Sequence, residues 1–308
     1  MHDQHHANGD LHLAHGHGHS MADDLPRFRA LLERRRALKW FAGAGTAALI
    51  AGCGGTDGDA STTAVSSATA TPTPTPTPSA TSTTAASSGT SCIADLSETA
   101  GPYPGDGTNT ASGSTSNVLT VSGIVRSDIR ASFISSTTVA GGVKVTLTLT
   151  LVNVNATCAP LTGYAIYLWH CDRQGNYSLY TAAAESYLRG VQVTDAAGQV
   201  TFTTIFPGCY DGRWPHIHFE VFSSLSNALS GRYAVLTSQL AMPAATCATI
   251  YADTTTYPSS SSNFARVSLS SDNVFGDNTS ALIAQQTPTF TGSTSAGYAA
   301  SAVIGIAR

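Results

Sequence analysis

Charged residues are scarce in this chain: Asp, Glu, Lys and Arg together make up 11% of its 308 residues. From Gly54 onward the balance is acidic, a net charge of about −5. That argues against a nucleic-acid partner, because phosphate backbones are bound through a basic footprint. No glycine-rich dinucleotide fingerprint is present, so nothing calls for a nicotinamide or flavin. The apolar run Trp40–Ala51 is too short for a bilayer, which takes about 20 apolar residues per helix. Sustained helical periodicity is missing before the last thirty residues. Histidine is rare in the body of the chain. Of ten His, seven (His2, His5, His6, His12, His15, His17 and His19) lie in the first twenty residues, leaving His170, His216 and His218.

The front of the chain reads as an export segment rather than as fold. Arg34-Arg35-Arg36-Ala37-Leu38-Lys39 fits a twin-arginine pattern, with Ala37 where Phe is usual. The short apolar run that follows ends in Ile50-Ala51-Gly52-Cys53, which looks like a lipobox with Cys53 as the lipidated residue. Residues 1–53 are therefore expected to be a His-rich leader and lipoprotein signal. The leader histidines would leave with it and are assigned no role. Residues 54–90 are Ala, Ser, Thr and Gly with a Thr-Pro repeat from Thr71 to Pro78. They carry almost nothing bulky and apolar to bury. Polyproline geometry makes them a semi-rigid tether. The expected location is outside the cytoplasm, lipid-anchored to a membrane.

Residues 91–308 are long enough for one domain with a sizeable core. Val143–Val154 and Gln199–Phe206 alternate apolar and polar residues, as a half-buried strand does. Asn117–Val125, Gly163–Trp169, His216–Phe222 and Tyr233–Leu240 also read as strands, and Asp195-Ala196-Ala197-Gly198 as a hairpin-like turn. The predicted fold is all-β, an antiparallel β-sandwich. Five cysteines fall in this part: Cys92, Cys158, Cys171, Cys209 and Cys247. An exported domain can keep disulfides, and an odd number leaves at least one thiol unpaired within the chain. Structural roles are expected for Cys171 and Cys209.

The chemistry concentrates in Pro207-Gly208-Cys209-Tyr210-Asp211-Gly212-Arg213-Trp214-Pro215-His216-Ile217-His218. On a strand, residues i and i+2 face the same way, so His216 and His218 can grip one metal ion from a rigid backbone. Tyr210 lies just upstream, and a second run, Trp169 to Tyr177, holds another tyrosine. A phenolate is a hard, anionic oxygen donor. Two such donors with two imidazoles suit ferric iron better than zinc or copper(I). A zinc or copper site using His216, His218 and either His170 or Cys209 is the metal alternative. A tethered β-sandwich that binds an aromatic compound or carbohydrate without turnover is the non-catalytic one.

Taken together, these runs resemble the intradiol ring-cleavage dioxygenases, non-haem ferric enzymes that split catechols between the two hydroxylated carbons. The resemblance covers roughly residues 92–280. It rests on Glu98-Thr99-Ala100-Gly101-Pro102-Tyr103, Trp169-His170-Cys171-Asp172 through Gly175-Asn176-Tyr177, Leu188-Arg189-Gly190, Phe206–Tyr210 and Arg213–His218. The chain is most similar to the exported, single-chain branch. The resemblance implies non-haem Fe(III) held by Tyr177, Tyr210, His216 and His218. It further implies that Tyr210 leaves the metal to act as a base, and that Arg213 stabilises charge developing on the ring. Tyr103 and Gln239 are the implied pocket residues, and an aromatic diol and O2 the implied substrates. Tyr180 and Tyr187 are rival phenols, ranked below Tyr177 because the run from Trp169 to Tyr177 has the family's spacing.

Overall fold

The structure, a computed structural model, describes residues 92–308. The expected leader, Cys53 and the tether lie outside the described residues. In chain order the strands are β1 (Lys144–Asn153), β2 (Ala159–Pro160), β3 (Ala165–Trp169), β4 (Arg189–Val193), β5 (Gln199–Ile205), β6 (His216–Phe222), β7 (Leu236–Ala241), β8 (Thr289–Ser293) and β9 (Gly297–Ile306). Three short helices, α1 (Ala244–Tyr251), α2 (Ser260–Phe264) and α3 (Ser280–Gln286), fill the stretch between β7 and β8. Among the described residues no helix is long and apolar enough to cross a membrane.

The strands form two sheets. One has the order β4-β3-β6-β7, antiparallel throughout. In the other, β1 pairs with β5 and β2 along one edge and with β9 along the other, and β8 lies beyond β9. Alternation decides which side chains go inward. From β1, Val145, Leu147, Leu149 and Leu151 enter the core, while the threonines between them are only half-buried. They meet Val200 and Phe202 of β5, Ala302 and Ile304 of β9, Ile166 and Leu168 of β3, and Ile217, Phe219 and Val221 of β6. Each fully buried side chain of this size contributes roughly 1.5–3 kcal/mol. The β-sandwich expected from the sequence is what the chain forms.

Four local expectations need correction. The β1–β9 pair is parallel, so the second sheet is mixed rather than purely antiparallel. Asn117–Val125 is not a strand: Asn117 accepts a hydrogen bond from Leu119 N and caps a 3-10 turn at Val118–Thr120. Asp195–Gly198 is a tight turn, held by Gly198 N to Asp195 O at 2.9 Å. It does not close a hairpin, because β4 and β5 belong to different sheets. Helix is not confined to the last thirty residues either, since α1 and α2 precede them. Cys92 and Cys158 form a disulfide, and Cys171, Cys209 and Cys247 are free and buried.

The β4-β3-β6-β7 sheet is buried on both faces. Its second face carries Ala165, Tyr167 and Trp169 of β3, Val191 of β4 and Phe222 of β6. These pack under Tyr103, Val118, Leu119 and Ile124 of the irregular segment that precedes β1, and under Tyr177 and Leu179 of the β3–β4 connection. His216, His218 and Glu220 point into this covered face, opposite to Ile217, Phe219 and Val221. The candidate site therefore lies beneath irregular chain on the outer side of one sheet, not between the two sheets.

Candidate metal centre

His216 and His218 are each 2% exposed, and their Nε2 atoms lie 3.1 Å apart. The Tyr177 hydroxyl, from the β3–β4 connection, is 3.3 Å from both nitrogens. The Tyr210 hydroxyl, from the β5–β6 connection, is 3.1 Å from His216 Nε2. Donors about 2.0–2.2 Å from a shared centre stand about 2.8–3.6 Å apart at angles of 90–110°. All four separations fall in that window, so the residues fit one metal ion. Among the described residues no group of three or more His, Cys, Asp and Glu forms a metal site. The candidate centre differs in drawing half its donors from tyrosine.

Different forces aim the two imidazoles. His216 Nδ1 lies 2.6 Å from the Trp214 carbonyl oxygen. A carbonyl only accepts, so Nδ1 carries the proton and Nε2 keeps its lone pair toward the centre. His218 is aimed by stacking. Its ring lies 4.9 Å from that of Trp169 with 5° between planes, and Tyr167 continues the stack at 4.8 Å. Trp169 is the direct cross-strand neighbour of His218. Tyr177 is 1% exposed and wedged against the rings of Tyr103, Tyr210 and His218. In contrast to Tyr177, Tyr210 is only half-buried. Gly175, at φ +89, makes way for it: a Cβ there would stand 2.9 Å from Tyr210 Cβ.

The electrostatics of the protein itself favour neutral groups. Burial, and then the Arg213 charge, hold His216 well below the usual imidazole range. Burial, then His216 and Arg213, do the same to His218. A neutral imidazole is the form that binds metal. Burial pushes both phenols up; the Tyr210 phenol adds to this at Tyr177, while Arg213 opposes it at both. A trivalent cation inverts this balance, because it stabilises phenolate where burial alone disfavours it.

The rival donors are committed elsewhere. Tyr180 donates to Asn109 Oδ1 at 2.6 Å, and Tyr187 donates to Asp172 Oδ2 at 2.9 Å. His170 spends one ring nitrogen on Thr204 Oγ1 and the other on the Cys171 carbonyl, and burial lowers its pKa to about 4. Burial raises the Cys171 thiol, which donates to the Gly208 carbonyl. Burial pushes Cys209 up to about 12. Both behave as structural thiols.

Arg213 is 4% exposed. Its Nε donates to Asp272 Oδ2 at 2.9 Å and its Nη2 to Gln239 Oε1 at 2.8 Å. Burial works against its charge, but Asp272, with Tyr210 and Tyr177, more than offsets that and raises its pKa. Gln239 sits on β7 directly across from His218. Its amide is engaged at both ends, because Nε2 donates to the Thr99 carbonyl. The structure thus shows Gln239 holding Arg213 and the segment before Tyr103. The Tyr103 ring packs at a tilt against both Tyr177 and Tyr180, with ring centroids 5.1 Å apart in each pair. Asp272 had no signal in the sequence beyond a turn-forming Ser-Asp-Asn string, 59 positions from its arginine.

Residues 134–232 match a family model, Dioxygenase_C, described as Dioxygenase. The resemblance to the intradiol dioxygenases stands. An intradiol ring-cleavage dioxygenase from Tetranychus urticae is similar in fold, with a TM-score of 0.53 at 24% identity over 70% of this chain and 95% of that one. The dioxygenase domain of a dioxygenase carbohydrate-binding protein fusion from Streptomyces sp. SirexAA-E aligns at 22% identity over 70% of this chain and 99% of its own, with a TM-score of 0.42. No curated protein sequence matches the chain. The matched stretch contains Tyr177, Tyr210, Arg213, His216 and His218, and stops short of Gln239 and Asp272.

Proposed function

We propose that this chain is a non-haem Fe(III) dioxygenase that cleaves catechol-type diols between the hydroxylated carbons with O2, giving muconate-type diacids. The observation that carries this reading is the convergence of Tyr177, Tyr210, His216 and His218 at 3.1–3.3 Å. Ferric iron held there would supply the Lewis acidity and electron acceptance that bring a catecholate and O2 to reaction. Two phenolates offset most of its charge, which a covered site tolerates better than a bare trivalent ion. Tyr177, locked by its neighbours, stays as a permanent anionic donor. Tyr210, half-buried and backed by glycine, would be the donor that gives way to substrate and would take a substrate proton at its phenolate oxygen. Arg213 stabilises negative charge that develops on the ring, and Gln239 holds the guanidinium in place. Tyr103 walls the pocket.

The mature protein is further proposed to be exported and lipid-anchored through Cys53. The Cys92–Cys158 disulfide supports an oxidising compartment.

The test is iron loading of protein beginning near residue 54, followed by oxygen uptake against catechol, 4-substituted catechols, protocatechuate and hydroxyquinol. The expected result is one iron per chain, a red-brown phenolate-to-iron band and O2 consumption with at least one diol. A colourless protein that binds aromatic compounds without consuming O2 would be a binding module instead. Stoichiometric zinc or copper with no such band would replace the metal.

A further inference from the structure

Asp272 lies in the connection between α2 and α3 and is used completely. Oδ2 accepts from Arg213 Nε at 2.9 Å and from Trp214 N at 2.7 Å. Oδ1 accepts from Val274 N at 2.8 Å and Phe275 N at 3.1 Å. Its side chain is fully buried and that of Arg213 is 5% exposed, so water screens the pair little. The loop itself is pinned. Val274 and Phe275 pack with Trp214 and Ala241 in a small apolar cluster, and Trp214 Nε1 donates to the Met242 carbonyl. The carboxylate is therefore anchored independently of the arginine it holds. On the other side, Gln239 takes Arg213 Nη2 and ties it to Thr99.

A guanidinium is a planar fork, so fixing Nε and Nη2 fixes the direction of the whole group. Burial alone would weaken its charge, and the adjacent carboxylate preserves it. We infer that Asp272 is a positioning residue: it orients Arg213 so that the guanidinium meets charge developing on the bound diol. The inference rests on the dioxygenase reading for its consequence, but the Asp272–Arg213 contact can be tested without iron or turnover. It also separates two jobs on one loop. The same carboxylate staples backbone at Trp214, Val274 and Phe275, so a change at Asp272 has to be read for orientation of Arg213 and not only for folding.

Two measurements test this. In iron-free, 15N-labelled protein, Arg213 Nε–H should give a slowly exchanging resonance, assigned by its disappearance in Arg213→Lys. In Asp272→Asn that resonance should shift and exchange at least tenfold faster while the backbone amides of β6 keep their positions. An unchanged Nε–H resonance overturns the inference whatever the protein catalyses. In the iron-loaded protein, Asp272→Asn should retain iron and the visible band, lose roughly 10–100-fold in kcat and change KM less than threefold. That split marks an interaction made mainly in the transition state. The double variant Asp272→Asn/Arg213→Ala should be no slower than Arg213→Ala alone, since a residue acting only through another is non-additive with it. Additive losses, or loss of iron in Asp272→Asn, would make Asp272 a purely structural residue. If Asp272→Asn fails to fold, Asp272→Glu keeps the charge and moves the carboxylate by one methylene. It should show the same loss of kcat with iron retained, and wild-type kcat there would overturn the assignment. Absence of oxygen uptake by wild-type protein would remove the dioxygenase reading while leaving the resonance test intact.

Discussion

Replacing Asp95 with Asn is expected to flatten the pH dependence of stability between pH 4 and 6. Asp95 begins the described domain and ties it to its last strand: its backbone N donates to the Gly305 carbonyl at 2.9 Å, and its Oδ2 accepts from Gly305 N at 2.7 Å. Oδ1 is buried with no hydrogen-bond partner among the described residues. Burial raises the carboxyl from 3.8 to about 6, and the bonds from Gly305 and Gln285 offset only part of that. Well below pH 3.8 the group is protonated whether the chain is folded or not, and it costs nothing. Between pH 4 and 6 the folded protein keeps a proton that the unfolded chain has released, so stability falls as pH rises. Above about pH 7 both forms are ionised and the loss approaches its full size, about 3 kcal/mol, at 1.36 kcal/mol for each pH unit between 3.8 and about 6. Asn cannot ionise. Its amide brings a constant offset, because an NH2 then occupies the partnerless position, but that offset cancels on comparing pH values. Urea unfolding of both proteins at pH 4, 5, 6 and 7 should show the variant gaining roughly 2 kcal/mol on wild type across the range. Parallel curves would refute the assignment of a buried, proton-holding carboxyl at this position.

Arg213→Ala should keep iron and colour while kcat falls by about 10²–10³-fold, the size typical of removing one preorganised stabilising group; kinetics and iron analysis on one preparation decide it. The same change should cost about 3 kcal/mol of stability, at the low end for breaking a buried pair, because Asp272 keeps three backbone N–H donors. Tyr177→Phe removes an anionic donor from the rigid side of the centre, so iron content should fall and the residual visible band should move; an unchanged spectrum would exclude Tyr177 as a ligand. Leu149→Ala, fully buried in β1, should cost about 2–5 kcal/mol in denaturant unfolding and leave the spectrum of iron-loaded protein unchanged.

How much of the centre could be read from the chain depended on how local each constraint is. His216 and His218 were legible because a strand's period of two is a property of the backbone, and Tyr210 and Arg213 sit within the same short run. Tyr177 needed the family's spacing as well, since Tyr180 and Tyr187 are equally phenolic and differ only in where their hydroxyls are spent. The Val/Leu/Thr alternation of β1 announced a half-buried strand. β9, rich in Ala and Gly, did not, because its parallel pairing with β1 is set by residues some 150 positions away. Asn117–Val125 looked like a strand through its apolar spacing, but Asn117 offers the backbone a competing cap, and the local bond prevails over the pattern.

The two histidines show the limit of local reading most clearly. Their spacing says only that both rings face the same side; it does not say which nitrogen is presented. For His216 that choice is made by a carbonyl two residues earlier, which is near in sequence and near in space. For His218, whose Nδ1 is buried without a hydrogen-bond partner among the described residues, the ring plane is set by the face of Trp169, 49 positions upstream, which becomes a neighbour only through the pairing of β3 with β6. Trp169 thus opens the run that leads to Tyr177 and, through the sheet, lies against a second donor of the same centre. The sheet register is what converts two separated motifs into one site. A shift of β3 by one residue would put Leu168 where Trp169 stands and turn every inward side chain of that strand outward. The all-apolar inner face of β3 and β6, with Ile166, Leu168, Ile217 and Phe219 in one core, is therefore what fixes the register of the polar face opposite.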